Sequence, residues 1–263
     1  MSRFAGKEFL ADQRALALCE LFSSHSRIRR FAEIKGRQLR PMRRSSDPLT
    51  AATTSILNPW LSPHGFRTIT RRSFGSVRND ILHFFDLQLS AYGGKDFTVN
   101  YASIPLFQPH DFIVLDCGDR LRSGAAEAWW PSSTHQLADN SMHEVVAGLQ
   151  AQALPFFAST STVSGLLDVL AKSQRASRHH LEFECACALA RLGRVSEASQ
   201  HLREAVSLYE ADGRSWCAGY IAHCNRLLHS IRQDSVEALL REWIDYSIEH
   251  LAIAPLLHAA NDA

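Results

Sequence analysis

Hydrophobic and polar positions change their period twice along this chain. Over residues 47–61, Leu49, Ala52, Thr53, Ile56 and Trp60 fall on one helical stripe. Asp47 suits an N-cap and Pro48 the first helical position, while Pro59 is expected to end the regular part. Ser62-Pro63-His64-Gly65 then reads as a turn. From Phe66 the period shortens to two. Phe66 to Phe74 reads as one strand, on its β-branched residues and the following glycine. Asp80 to Ser90 alternates more clearly, with Ile81, Phe85, Leu87 and Leu89 opposed to Asp86, Gln88 and Ser90. Tyr92-Gly93-Gly94-Lys95 is a hairpin turn, after which Phe97, Val99 and Tyr101 alternate with Thr98, Asn100 and Ala102. His110 to Cys117, carrying Phe112, Ile113, Val114 and Leu115, is read as a fourth strand, closed by a polar turn from Asp116 to Asp119.

At Ser141 the period becomes helical. Met142, Val145, Val146, Leu149 and Ala153 form one stripe, which Pro155 is expected to break. A second helix is predicted from Thr160 to Lys172 on Val163, Leu166, Leu167 and Leu170. After residues 173–177 come two helices joined at Leu192-Gly193-Arg194-Val195, then two more near 214–231 and 235–251. The predicted fold class is therefore α+β: an antiparallel sheet of about four strands with a leading helix, followed by an all-α tail. The predicted divisions are a basic arm over residues 1–46, an α+β module over 47–140 and a helical region over 141–263.

Charge changes the picture at the N-terminal end. The chain has a formal net charge of +1, but residues 1–44 carry eleven Lys and Arg against four Asp and Glu. Such arms are usually solvated, and with only Phe22 and Phe31 flanking its Arg27–Arg30 cluster the arm is not read as a nucleic-acid binder. Met42 stands just before the first strongly patterned segment and is an alternative start. No apolar run reaches the length of a membrane helix, and the short Ala15–Cys19 run followed by Glu20 does not read as an export signal. The six cysteines are scattered, so reduced thiols and a cytoplasmic location are expected.

Two stretches resemble known families. The first has a leading helix from Leu49, then Leu61-Ser62-Pro63-His64-Gly65-Phe66. It continues with the strand Phe97-Thr98-Val99-Asn100 and then Gly118 to Trp129-Trp130. This order resembles the uncharacterised bacterial family DUF4304. The resemblance implies no catalytic residues, and it brings a fold-level association with small accessory or immunity-type proteins. The second is Gly193-Arg194-Val195-Ser196-Glu197-Ala198, continuing to Leu202 and Ala205, which resembles the inter-helix half of a tetratricopeptide repeat. One unit is visible where a solenoid requires about three, so an ordinary helical hairpin reads these residues equally well.

Candidate chemistry is thin. Cys185 and Cys187, with His179, His180, Cys217, His223 and Cys224, suggest a metal on paper, but residues two apart on a helix diverge. No metal ligand set and no cofactor site is predicted. There is no nucleophile elbow around Ser164, no phosphate loop and no dinucleotide fingerprint. Cys117 lies at a strand end, but Asp116 and Asp119 would raise its pKa. Glu182 and Glu184 read as diverging surface residues. The Trp129-Trp130 pair is the strongest non-catalytic feature. One reading places one ring inside and the other at the surface, as a contact for a partner protein; the other packs both rings under the following loop. The first functional expectation is therefore a non-enzymatic interaction protein. The alternative is a hydrolase using His83, His110 and Asp111, which would require these side chains to converge in one cleft.

Overall fold

The computed structural model describes residues 47–92, 95–124, 126–173 and 177–257. The basic arm, the alternative start at Met42 and the two hairpin glycines Gly93 and Gly94 lie outside the described residues. The α+β class holds: an antiparallel sheet carries a leading helix and is followed by a helical C-terminal part.

Helix α1 (residues 48–61) begins as its sequence predicts. The Asp47 carboxylate accepts from the Thr50 N–H, and Pro48 fills the first position. Pro59 does not end it. A π turn over Thr53–Leu57 precedes the proline, and the Asn58 N–H reaches back to the Thr53 carbonyl. The wider turn makes room for a ring that has no N–H to donate. The extra residue also rotates the stripe, so Leu57 and Leu61 are buried along with Leu49 and Ala52.

The sheet runs β1 (Arg67–Thr70), β2 (Ser73–Arg78), β3 (Ile81–Leu89), β4 (Asp96–Pro105) and β5 (Gly118–Arg120) in spatial order. Next in the chain, β6 (Arg122–Ser123) pairs with β7 (Ala126–Glu127) in a separate ribbon, and the short β8 (Trp130–Pro131) returns to pair with β4. The sheet thus has six strands rather than about four. The expected single strand from Phe66 to Phe74 is two, turned back at Arg71 and Arg72. The β2–β3 turn places Asn79 and Asp80 at φ 50° and 61°. Asn and Asp tolerate this left-handed region, which the twist of a two-residue hairpin turn requires. The predicted β3–β4 hairpin forms, in a register that runs from Ile81 opposite Pro105 to Leu89 opposite Phe97.

The predicted strand at His110–Cys117 is absent; residues 106–117 are irregular. Pro109 cannot donate to a ladder, and Ile113 and Leu115 pack into the core shared with the helical tail instead. Pairing with β4 resumes where the Cys117 carbonyl accepts from the Ser103 N–H at 2.7 Å. The segment read as a polar turn is therefore the start of β5. Gly118 is needed there, because a Cβ would lie 1.9 Å from the Tyr101 carbonyl oxygen.

Helix α2 (His135–Ser159) starts earlier than its apolar stripe suggests, capped by Thr134 on the Leu137 N–H. Pro155 does not break it. A π turn over Leu149–Ala153 precedes this proline too, and the Leu154 N–H reaches the Leu149 carbonyl. The same device therefore carries both helices past a proline. Then follow α3 (Val163–Ala171), α4 (Arg178–Arg191), α5 (Val195–Asp212), α6 (Cys217–Arg232), α7 (Val236–His250) and the short α8 (Ala254–Leu257). Gly193, at φ 74°, turns α4 into α5, and Ala198, Leu202 and Ala205 are buried. Helix α4 is buried throughout Phe183–Ala190, so Glu184 is not the surface residue expected but is 4% exposed.

Both faces of the sheet are used. Phe85, Leu87, Phe97, Val99 and Tyr101 pack with α1 and α2 in one core. Leu82, Phe84, Ala102 and Ile104 pack with the tail helices in the other. Ile81 belongs to this second core and Leu89 is exposed, so the single face predicted for β3 is divided. Asp80, in the β2–β3 turn, is tied to α4 by Arg191 at 3.0 Å, and Arg191 also meets Glu237 of α7. No single described helix is long and apolar enough to cross a membrane.

Candidate functional site

The polar positions of β3 and β4 that alternate with Phe85, Leu87 and Val99 meet on one sheet face. Asp86 pairs in register with Asn100, and Asn100 with Arg120. The Asn100 amide nitrogen donates to Asp86 Oδ1 at 3.2 Å and to Gln88 Oε1 at 2.9 Å. Arg120 Nε donates to Asn100 Oδ1 at 3.0 Å, and its Nη1 pairs with Glu127 at 2.6 Å. Burial pushes the Asp86 carboxyl up to about 6, although the Asn100 hydrogen bond and the Arg72 and Arg120 guanidiniums pull the other way. Asn100 closes the Phe97–Asn100 strand motif and holds the centre of this network. The alternation sets Asp86, Gln88 and Asn100 opposite the apolar positions but gives no sign that Arg120 joins them. Matching polar residues on one face of both hairpin strands were the available signal.

The network leads to the tryptophans. Arg120 lies over the Trp129 ring, 5.7 Å from its centroid. The two adjacent rings point to opposite sides, as strand geometry demands. Trp130 is 6% exposed, packs on Phe97 and donates its indole N–H to Glu144 at 3.1 Å. Trp129 is 46% exposed. The backbone beneath it is anchored at several points. The Ala128 carbonyl accepts from Thr98 Oγ1, the Pro131 carbonyl from Ser141 Oγ, and the Ser132 N–H donates to the Lys95 carbonyl. Beside the rings lies an open groove of about 570 Å³, whose lining includes Glu127, Trp129, Trp130, Leu137, Asn140 and Glu144. Leu137, on the first turn of α2, is also exposed.

The residues of the hydrolase alternative are not hydrogen-bonded to one another, although the Asp111 charge acts on His110 through space. His83 stands in register between Ser76 and Ser103, on the face with Phe85, and stacks on Phe157 at 4.9 Å. Its Nε2 is buried without a hydrogen-bond partner among the described residues, and burial lowers its pKa to about 4. His110 is buried toward the tail, where its Nε2–H donates to the Pro105 carbonyl and its backbone N–H to Ser247 Oγ. Burial lowers its pKa to about 4 as well. Asp111 is exposed and accepts from the Tyr246 hydroxyl. Three separate sets of partners hold these three side chains.

Cys117, Cys185, Cys187, Cys217 and Cys224 are all buried. Burial pushes Cys185 and Cys224 up to about 12, so neither is a thiolate near neutral pH. Among the described residues no group of three or more His, Cys, Asp or Glu is arranged to hold a metal ion. His180 accepts or donates at Tyr209 Oη, 2.9 Å away, and stacks on Trp216. This histidine–aromatic cluster joins α4, α5 and α6.

Together these features describe an α+β domain with a pinned, half-exposed tryptophan beside a groove, continued by a helical tail. Residues 57–159 match the family described as a domain of unknown function (DUF4304). The matched region runs from the second half of α1 to the end of α2, so it contains the whole sheet, the Asn100–Arg120 network and both tryptophans. No curated protein and no solved structure is detectably similar to the chain.

Proposed function

We propose that this protein is a binding protein that docks another protein at the Trp129 groove and carries out no chemistry of its own. The observation that carries this reading is the half-exposed Trp129 ring. An indole left in water forgoes the burial that stabilises most rings, and here its backbone anchors and Arg120 hold it in place. Rigid aromatic residues of this kind supply much of the energy at protein contacts. Leu137 extends the apolar surface on the same groove. The separation of His83, His110 and Asp111 further supports a role in binding. The α4–α5 hairpin, tetratricopeptide-like in Gly193 at its turn and the small Ala198 and Ala205 on its buried face, fits a partner-binding tail.

A photo-crosslinking residue at position 129, with one at the exposed Arg241 on α7 as the control, tests the docking surface. A partner captured only from position 129 should, once purified, bind Trp129→Ala at least about tenfold more weakly than the wild type. A purified partner that binds both proteins equally well would overturn the reading.

A further inference from the structure

The groove's charge indicates what the partner presents. Its described lining holds two carboxylates, Glu127 and Glu144, and no Lys, Arg or His. Glu144 uses Oε2 for the Trp130 indole N–H, and a carboxylate has lone pairs for further donors. Glu127 is half-exposed beside its Arg120 partner. Asn140 adds a side-chain amide. Trp129 presents the side chain whose face attracts cations best, and it already holds one guanidinium, that of Arg120. Arg120 itself does not line the groove, whereas Trp129 does and is 46% exposed.

From this we infer that the groove receives a Lys or Arg side chain of the partner, set between the Trp129 ring and the carboxylates of Glu144 and Glu127. The inference rests on the docking function proposed above and names the chemistry of what docks. An acidic segment would face two like charges and no cation within the groove. A purely apolar one would desolvate both carboxylates and leave them only the Trp130 indole and Arg120 as donors.

Blocked tripeptides with Arg, Lys, norleucine or Glu at the centre, titrated into ¹⁵N-labelled full-length protein, test this at the indole N–H signals of Trp129 and Trp130. The Arg and Lys peptides should give saturable shifts that the norleucine and Glu peptides do not. Glu144→Gln keeps an acceptor for the Trp130 indole, so the fold is retained. Together with Trp129→Leu it should weaken the Arg peptide roughly threefold to tenfold per substitution. Equal shifts with norleucine or Glu, or no saturable shift with Arg and Lys, would overturn the inference. If these peptides fail while the crosslinked partner still depends on Trp129, the docking reading stands and only the basic preference falls. If Trp129 dependence is also lost, both fall.

Discussion

Replacing Asp86 by Asn should stabilise the fold, and more so at neutral pH than in mild acid. Asp86 is an acid whose pKa is raised on folding, from 3.8 to about 6. The folded state holds its proton more tightly than the unfolded chain, so ionisation costs stability. The penalty is absent below the unfolded value, grows as pH rises through the interval and is complete above the folded value. A rise of that size corresponds to at most about 3 kcal/mol once Asp86 is fully ionised. At pH 4.5 the same linkage leaves about 1 kcal/mol. The amide introduced by Asp86→Asn would keep an oxygen to accept from Asn100 and would carry no charge to desolvate. Urea denaturation of both proteins at pH 4.5 and 7.5 reads the difference as a shift in midpoint at constant slope. A substitution that costs stability equally at the two pH values would refute the reasoning, because it would show that the carboxylate is adequately solvated or paired in the folded state.

Two further outcomes follow from burial. Trp130→Ala should cost about 3–5 kcal/mol by leaving a cavity against Phe97, while Trp129→Ala should stay within about 1 kcal/mol. Equal costs in denaturant titrations would contradict the division of the pair between core and groove. His83, His110 and His180 all have folded pKa values lowered to about 4 by burial, so their stability is present above 6.5 and lost as pH falls from there toward 4. His83→Gln should remove about one proton from the uptake that accompanies unfolding near pH 5, read from the slope of unfolding free energy against pH. An unchanged slope would mean that His83 is not buried in its neutral form.

Local patterns made much of the fold legible. Asp47 and Pro48 mark the start of α1, the Phe97–Tyr101 alternation marks β4, and the Gly193 turn marks the helical hairpin, because each depends on neighbours in the chain. The misreadings share one cause. Pro59 and Pro155 are breakers only if the preceding turn is α-helical, and a π turn removes the conflict in both helices. Residues 110–117 have strand composition, but composition measures burial, and their burial is against helices rather than in a ladder. Glu184 looks like a surface residue until every side of α4 is covered.

The candidate site shows the same boundary. That two adjacent tryptophans face opposite sides follows from strand geometry, so the sequence alone contained the possibility of an exposed ring. Which ring that would be, and what would stand beside it, depended on contacts from distant parts of the chain. Glu144 reaches Trp130 from α2, and Asn100 brings Arg120 over Trp129 through a pairing across β4 and β5. Periodicity reports which residues share a face of one element. Only tertiary packing decides what that face meets, because burial and charge are set by every neighbour in space and the chain order records just two of them.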